Sequence, residues 1–268
     1  MDRRIRIGAV NYLNSKPLVE GLAGLAPHAD LVLDFPSRLA DELDRGTIDV
    51  GLVPSICCLL KPDYEVISDA CVATQGAVLS VKLFCRVAPG RIRRLALDAG
   101  SRTSATLVQI LLAERFGVFP QIEPLPLEQA PSATDADGIL LIGDRAIPAQ
   151  QESFVCTWDL GEEWTRWTGL PFVFAMWAAR AGTDLGPVEA ALTAARDLGR
   201  SRLAEIARRE APRLGLAEQT TLDYLTQNLY YQLGAAERNG LGLFHQLAVK
   251  YKLAPGGFDL VFRNCAAA

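Results

Sequence analysis

Two long apolar runs frame the middle of the chain, GAVLSVKLFCR at residues 76–86 and PFVFAMWAAR at residues 171–180. Neither keeps a helical period, and both read as buried strands. The segment between them has strand and helix signals of its own. LAL at residues 95–97 leads through a polar loop into a helix over residues 103–116, a weak strand follows within 119–131, and GILLIGD at 138–144 is apolar to its end. The first third alternates in the same way. Residues 5–10 read as a strand, 16–25 as a helix and 31–35 as a strand; Pro36-Ser37 opens a helix that Gly46 stops, and 48–53 forms a third strand. Alternation of this kind implies a mostly parallel sheet. Beyond the second run the chain reads as helical at 188–209, 220–231 and 241–253, with FDLVF as a last strand. A segment that leaves one sheet along one strand and returns along another makes a second lobe. The expected fold is therefore α/β in two lobes with a central cleft, residues 1–86 and 174–268 forming lobe one and residues 87–173 lobe two.

Composition narrows the function. A chain of 268 residues, half of them hydrophobic, can build such a core without staples. The net charge of −4 gives no reason to expect nucleic acid or an anionic membrane as partner. No apolar run approaches the roughly 20 residues of a membrane span. No apolar stretch of leader type follows Arg3-Arg4, so a cytoplasmic protein is expected. The six cysteines, Cys57, Cys58, Cys71, Cys85, Cys156 and Cys265, show no paired spacing and are expected as reduced, mostly buried thiols. His28 and His245 lie near no cysteine pair, so neither a metal nor another cofactor is expected.

Clefts at the carboxyl ends of strands are where α/β proteins hold small ligands. Here the strand ends carry uncharged hydrogen-bonding groups. Asn11, Asn14 and Ser15 follow the first strand, Ser55 the third, Ser101, Thr103 and Ser104 open the helix at 103, and Asp144 follows GILLIG. Ser80 is a lone hydroxyl in an apolar run. The first turn of a helix presents free N–H groups and attracts anions, so a carboxylate could be held at residues 101–104 without a cation. Each group has a plainer reading: the serines, threonines and asparagines as helix caps, Ser80 as a satisfied buried serine, Asp144 as a cap or the partner of Arg145. Asp144 could also serve as a general acid or base. Trp164 and Trp167, three apart, read as packing residues. These features support a two-lobed binder of a small carboxylate. They do not separate an enzyme from a binding protein.

Together the segments NYLNSKPL (11–18), DVGLVP (49–54), GAVLSVKLF (76–84), LALDAGSRTSATLVQILL (95–112), LLIGDRA (140–146) and DLGEEWTRWTGLPFVFAMW (159–177) resemble the chorismate dehydratases of the futalosine route to menaquinone. Their order and spacing carry the likeness; Ala77 departs from an expected proline. The resemblance implies the two-lobed fold of type II periplasmic solute-binding proteins. It also implies loss of water from chorismate to give 3-[(1-carboxyvinyl)oxy]benzoate. Asn14 and Ser80 would face the substrate, and Ser101, Arg102, Thr103 and Ser104 with Gly143 and Asp144 would enclose it. With no histidine or glutamate base in the matched loops, the substrate's own enolpyruvyl carboxylate is the expected base, and Asp144 its competitor. The sister family that makes dihydroxynaphthoate opens with a different, cysteine- and threonine-containing motif, so NYLNS favours the dehydratase. The rival outside both is a non-catalytic carboxylate-binding protein of the same fold.

Overall fold

The computed structural model describes residues 3–148 and 152–263. Cys265 lies outside them; the five described cysteines are free thiols, four of them buried. The chain opens with strand β1 (Ile5–Val10), a 3-10 helix (Leu13–Val19), the single turn α1 (Leu22–Leu25), β2 (Ala29–Asp34), α2 (Pro36–Arg45), β3 (Val50–Pro54), α3 (Ser55–Leu60) and β4 (Tyr64–Thr74). It continues through β5 (Val81–Cys85), β6 (Arg94–Asp98), α4 (Thr103–Phe116), β7 (Gln121–Leu125), β8 (Gly138–Ile142), β9 (Cys156–Asp159) and α5 (Leu160–Thr168). It returns through β10 (Phe172–Arg180), α6 (Val188–Ser201), α7 (Leu203–Leu214), α8 (Glu218–Asp223), a π-helical turn (Tyr224–Asn228), β11 (Tyr230–Gln232), α9 (Ala235–Lys250) and β12 (Val261–Phe262).

The strands form two sheets. The first has the order β11-β4-β10-β3-β1-β2, with β12 also paired to β4; the second has the order β7-β6-β8-β5-β9. The β1, β2 and β3 ladders are parallel, as are those of β6 with β7 and β8, while β10 and β5 run antiparallel to their neighbours. The chain therefore exchanges sheets twice, at residues 75–80 and 169–171. The expected lobe boundary placed residues 81–86 with the first sheet; β5 instead pairs within the second, and β10 joins the first from Phe172.

The first exchange explains why GAVLSVKLFCR is not one strand. Residues 75–80 bend, with Gly76 at φ 117° and Leu79, a non-glycine, at φ 59°. The Asp159 carboxylate accepts the Val78 N–H at 2.9 Å and the Leu79 N–H at 2.6 Å, so a side chain replaces the ladder. The expected helix over 16–25 is likewise broken, because Gly21 takes φ 68° between the 3-10 helix and α1. The expected helix over 188–209 breaks at Arg202, with ψ 21°, into α6 and α7. The helix expected over 220–231 shortens to α8 and the π turn, since residues 230–232 pair with β4. Strands β4 and β9 were not anticipated. Polar Glu65, Ser68 and Asp69 interrupt the apolar pattern of β4, although its other positions are buried.

One large core joins the two sheets. Trp164 sits at its centre, edge-on to Phe172 and Phe244 at 5.2 and 6.3 Å, and its indole N–H donates to Pro171 O at 3.2 Å. Trp167 packs edge-on against Trp164 at 5.8 Å, as expected of that pair. Gly199 matters for a different reason: a Cβ there would stand 1.9 Å from Pro17 O. Only glycine lets α6 lie on the backbone of the Leu13–Val19 turn, and that contact fixes the loop after β1.

Candidate functional site

The carboxyl ends of β1 and β3 in one sheet and of β6 and β8 in the other meet at a single cavity, where Val10, Pro54, Gly100 and Ile142 form parts of its wall. It holds about 520 Å³ of empty space including its mouth. The enclosed part is small, about 50 Å³, so the walls stand close together. Val10, Val72, Val78, Val81 and Phe174 make much of the surface apolar. Among the described residues lining the cavity, Arg102 alone carries a charge, and Asp41 (2.6 Å) and Cys57 Sγ (3.8 Å) take up its guanidinium.

One end of the cavity is the amino terminus of α4, where Ser101, Arg102, Thr103 and Ser104 all contribute. A helix's first N–H groups have no acceptor inside the helix. Ser101 Oγ takes the Ala105 N–H at 3.1 Å, which leaves the amides of Thr103 and Ser104 for a ligand. Fourteen residues of α4 stand behind them, so the positive end of the helix dipole adds to the field.

Asn14 and Ser80 also line the cavity. Ser80 is wholly buried, and it sits beyond a three-residue turn in which its N–H donates to Val78 O at 2.7 Å. Such a turn around a left-handed leucine is strained, by about 1–3 kcal/mol. The four N–H groups held by Asp159, those of Val78, Leu79, Gly161 and Glu162, keep it in place. Asp159 also caps α5, and its burial raises its pKa against the effect of those donors. Tyr224 was not anticipated. It is fully buried on the π turn, and both Ser80 and Asn14 act on its acidity, so the three side chains adjoin. Burial nevertheless drives its pKa far up, and the hydroxyl stays neutral. Asn14 Oδ1, Ser80 Oγ and Tyr224 Oη are all buried without a hydrogen-bond partner. Buried polar atoms are rarely left so.

Seven expected residues thus line the cavity: Asn14, Ser80, Ser101, Arg102, Thr103, Ser104 and Gly143. Three others lie elsewhere. Asn11 is exposed and accepts from Lys16 Nζ at 3.0 Å. Ser55 is buried behind Thr103, donating to Val173 O at 2.7 Å with Thr103 Oγ1 at 3.3 Å. The Asp144 carboxylate turns away to accept the Leu13 N–H at 2.9 Å, at the start of the 3-10 helix. Burial is the main cause that pushes its pKa up to about 6; the Leu13 N–H and Lys16 oppose this, and Glu210 adds to it.

Contacts of Asp144, Thr103 and Arg102 cross between the lobes. Asp144 reaches the loop after β1, Thr103 Oγ1 accepts the Ile56 N–H at 3.2 Å, and Arg102 pairs with Asp41. Tyr12, also missed in the sequence, lies on Gly143, where a Cβ would come within 2.6 Å of its ring. Gly143 has φ 68° and is suited to glycine on both counts. Burial, followed by Asp98, raises the pKa of Tyr12. Asp98 is in turn buried against Arg145 at 2.7 Å. Among the described residues no cluster of His, Cys, Asp or Glu could hold a metal ion, and no helix is long and apolar enough to cross a membrane.

Known proteins agree with this architecture. A protein from Archaeoglobus fulgidus superposes with a TM-score of 0.73 at 16% identity, over 93% of this chain and 98% of that one. The periplasmic aliphatic sulphonate binding protein of Escherichia coli gives 0.64 at 17% identity, over 97% of this chain and 91% of that one. At such identities the likeness shows the fold alone: two lobes of periplasmic-binding-protein type around a cleft, as expected. A protein of Thermus thermophilus named chorismate dehydratase is 36% identical over 267 residues, covering 89% of this chain and 93% of that protein. The family described as menaquinone biosynthesis matches residues 5–250, and on these two findings the chain belongs to that family.

Proposed function

We propose that the protein is a chorismate dehydratase, a carbon–oxygen lyase that converts chorismate to 3-[(1-carboxyvinyl)oxy]benzoate in the cytoplasm. The observation that carries the reading is the pairing of neutral donors across one cavity, Asn14 and Ser80 on one side and the α4 amino terminus on the other. Chorismate is a dianion, and this cavity offers two donor sets. The ring carboxylate fits the Thr103 and Ser104 amides, and the enolpyruvyl carboxylate fits Asn14 and Ser80. The C3–H bond breaks, its electron pair forms the new ring double bond, and the C4 hydroxyl leaves; the proton and hydroxide together make water. The ring becomes aromatic, so the barrier lies in taking a weakly acidic proton. Charge then spreads towards the ring carboxylate, where fixed amides and the helix dipole stabilise it without reorganising. The enolpyruvyl carboxylate is the base. Asp144 is turned away from the cavity, and that favours the substrate's own group over it. Closed, largely apolar walls exclude water and strengthen each of these contacts.

Incubation of the protein with chorismate tests this. Loss of the diene absorbance with formation of the aromatic enol ether is expected, without added metal or cofactor. Tight binding of chorismate with no turnover would replace the proposal with the binding-protein reading.

A further inference from the structure

The free thiols are not placed alike. Cys57 and Cys58 are neighbours on α3, where successive side chains point apart, and Cys71 lies in the first sheet opposite Met176. Cys85 and Cys156 stand directly opposite each other in the antiparallel ladder of β5 and β9, as Leu83 and Trp158 do two steps before them. Side chains of such partners leave the sheet on one face. That face meets the large core: Leu83 and Cys85 are wholly buried in it, and Cys156 and Trp158 pack against it. Directly opposed antiparallel residues have Cα atoms about 4.5–5.5 Å apart, inside the roughly 4.4–6.8 Å that a disulfide spans.

The two thiols differ in access. Cys85 is on an inner strand, and burial, followed by the adjoining Cys156 thiol, pushes its pKa up. A thiol so held is a poor nucleophile towards solvent. Cys156 is only part-buried and lies on β9, the edge strand of the second sheet. A small oxidant therefore has to reach one sulfur only.

We propose that Cys85 and Cys156 form a reversible oxidation site, at which a hydroperoxide oxidises Cys156 and Cys85 closes a cross-strand disulfide. The Cys156 sulfur attacks an oxygen of hydrogen peroxide; an S–O bond forms, the O–O bond breaks, and one water leaves. Cys85 then attacks the resulting sulfenic acid; the S–S bond forms, the S–O bond breaks, and hydroxide leaves with the Cys85 proton as a second water. The two thiols lose two electrons and the peroxide gains them. A dithiol reverses the step by exchange. The bond closes a loop that holds β6, α4, β7 and β8, most of lobe two, and so restricts the unfolded chain. The site is independent of the dehydratase reading.

Treatment of the reduced wild-type protein with hydrogen peroxide, followed by peptide mapping without reduction, tests this. A Cys85–Cys156 linked peptide is expected, and dithiothreitol should separate it. The linked form should melt about 5 °C or more above the reduced one. Cys85→Ala should stop at the Cys156 sulfenic acid, which dimedone traps. Thiols that stay reduced, Cys156 oxidised to sulfinic acid without a link, or Cys156 joined to another cysteine each overturn the proposal. Those three outcomes are read on the wild-type protein and hold even if Cys85→Ala does not fold. A linked form that melts below the reduced one overturns the stapling of lobe two.

Discussion

At the scale of the residue, Asn14 shows how a neutral side chain can do what a charge could not. Its amide is within the 3-10 helix rather than at its cap, which is Tyr12, and its Oδ1 accepts no hydrogen bond. Asn14→Asp keeps the size and places a negative acceptor against a dianion in a low-dielectric cleft. Turnover of chorismate is expected to fall about 100-fold or more, the size of losing one oxyanion donor. Near-normal kcat with normal stability would show that the amide has no part in the chemistry. Thr103 differs, because its hydroxyl faces the other lobe and accepts from Ile56 N–H. Thr103→Val leaves that buried amide without an acceptor, a cost of about 1–3 kcal/mol. The variant should show a lower thermal midpoint and a KM raised about tenfold, because the closed cleft is what binds. An unchanged KM in a well-folded variant would detach Thr103 from the site.

At the scale of the element, two short irregular pieces matter more than the long helices. The bend at 75–80 presents Ser80, and the Leu13–Val19 turn presents Asn14. Each is pinned by one carboxylate from the second lobe, Asp159 for the bend and Asp144 for the turn. Asp144 makes the pinning sensitive to pH. Its pKa is raised to about 6 in the folded protein from an ordinary 3.8. The folded state therefore binds this proton more readily than the unfolded chain. The stability contributed is fully present below about pH 4 and is lost as pH rises through about 6. Asp144→Asn can still accept the Leu13 N–H through its amide oxygen. The variant should lose less stability than the wild type between pH 4 and pH 7 in thermal melts, and should keep most of its turnover. Loss of all turnover in that variant at every pH would restore Asp144 as the base. No local pattern announces this arrangement, since GILLIGD shows only that a carboxylate follows a buried strand.

At the scale of the whole molecule, the cleft is closed by contacts that cross between the lobes, and few of them are charged. The Arg102–Asp41 pair is one of these, part-exposed, with 31% and 44% of the two side chains accessible. Such pairs contribute about 0–1 kcal/mol. Arg102→Ala should therefore raise KM no more than about fivefold and leave kcat nearly unchanged. Small-angle scattering of the ligand-free variant should show a slightly larger radius than the wild type. A collapse of kcat would instead place the guanidinium in the chemistry.

Local chemistry decided what the chain could build, and long-range packing decided what faces the ligand. The alternation of strand and helix, the two long apolar runs and the polar strand ends are written in near neighbours, and from them came two lobes, a cleft and a set of uncharged donors. Which donors enter the cavity was not written there. Asn11 and Asn14 are three apart on one loop, yet one is exposed and the other lines the site. Their separation follows from the Leu13–Val19 turn lying on Gly199 and from Asp144 holding its first amide. Ser80 faces the cavity because Asp159, far along the chain, bends the backbone before it. Tyr224 joins Ser80 and Asn14 from the far end of the chain through a π turn that no apolar period announces. Side-chain direction at a loop depends on groups distant in sequence, and so the site was settled only when the two sheets packed.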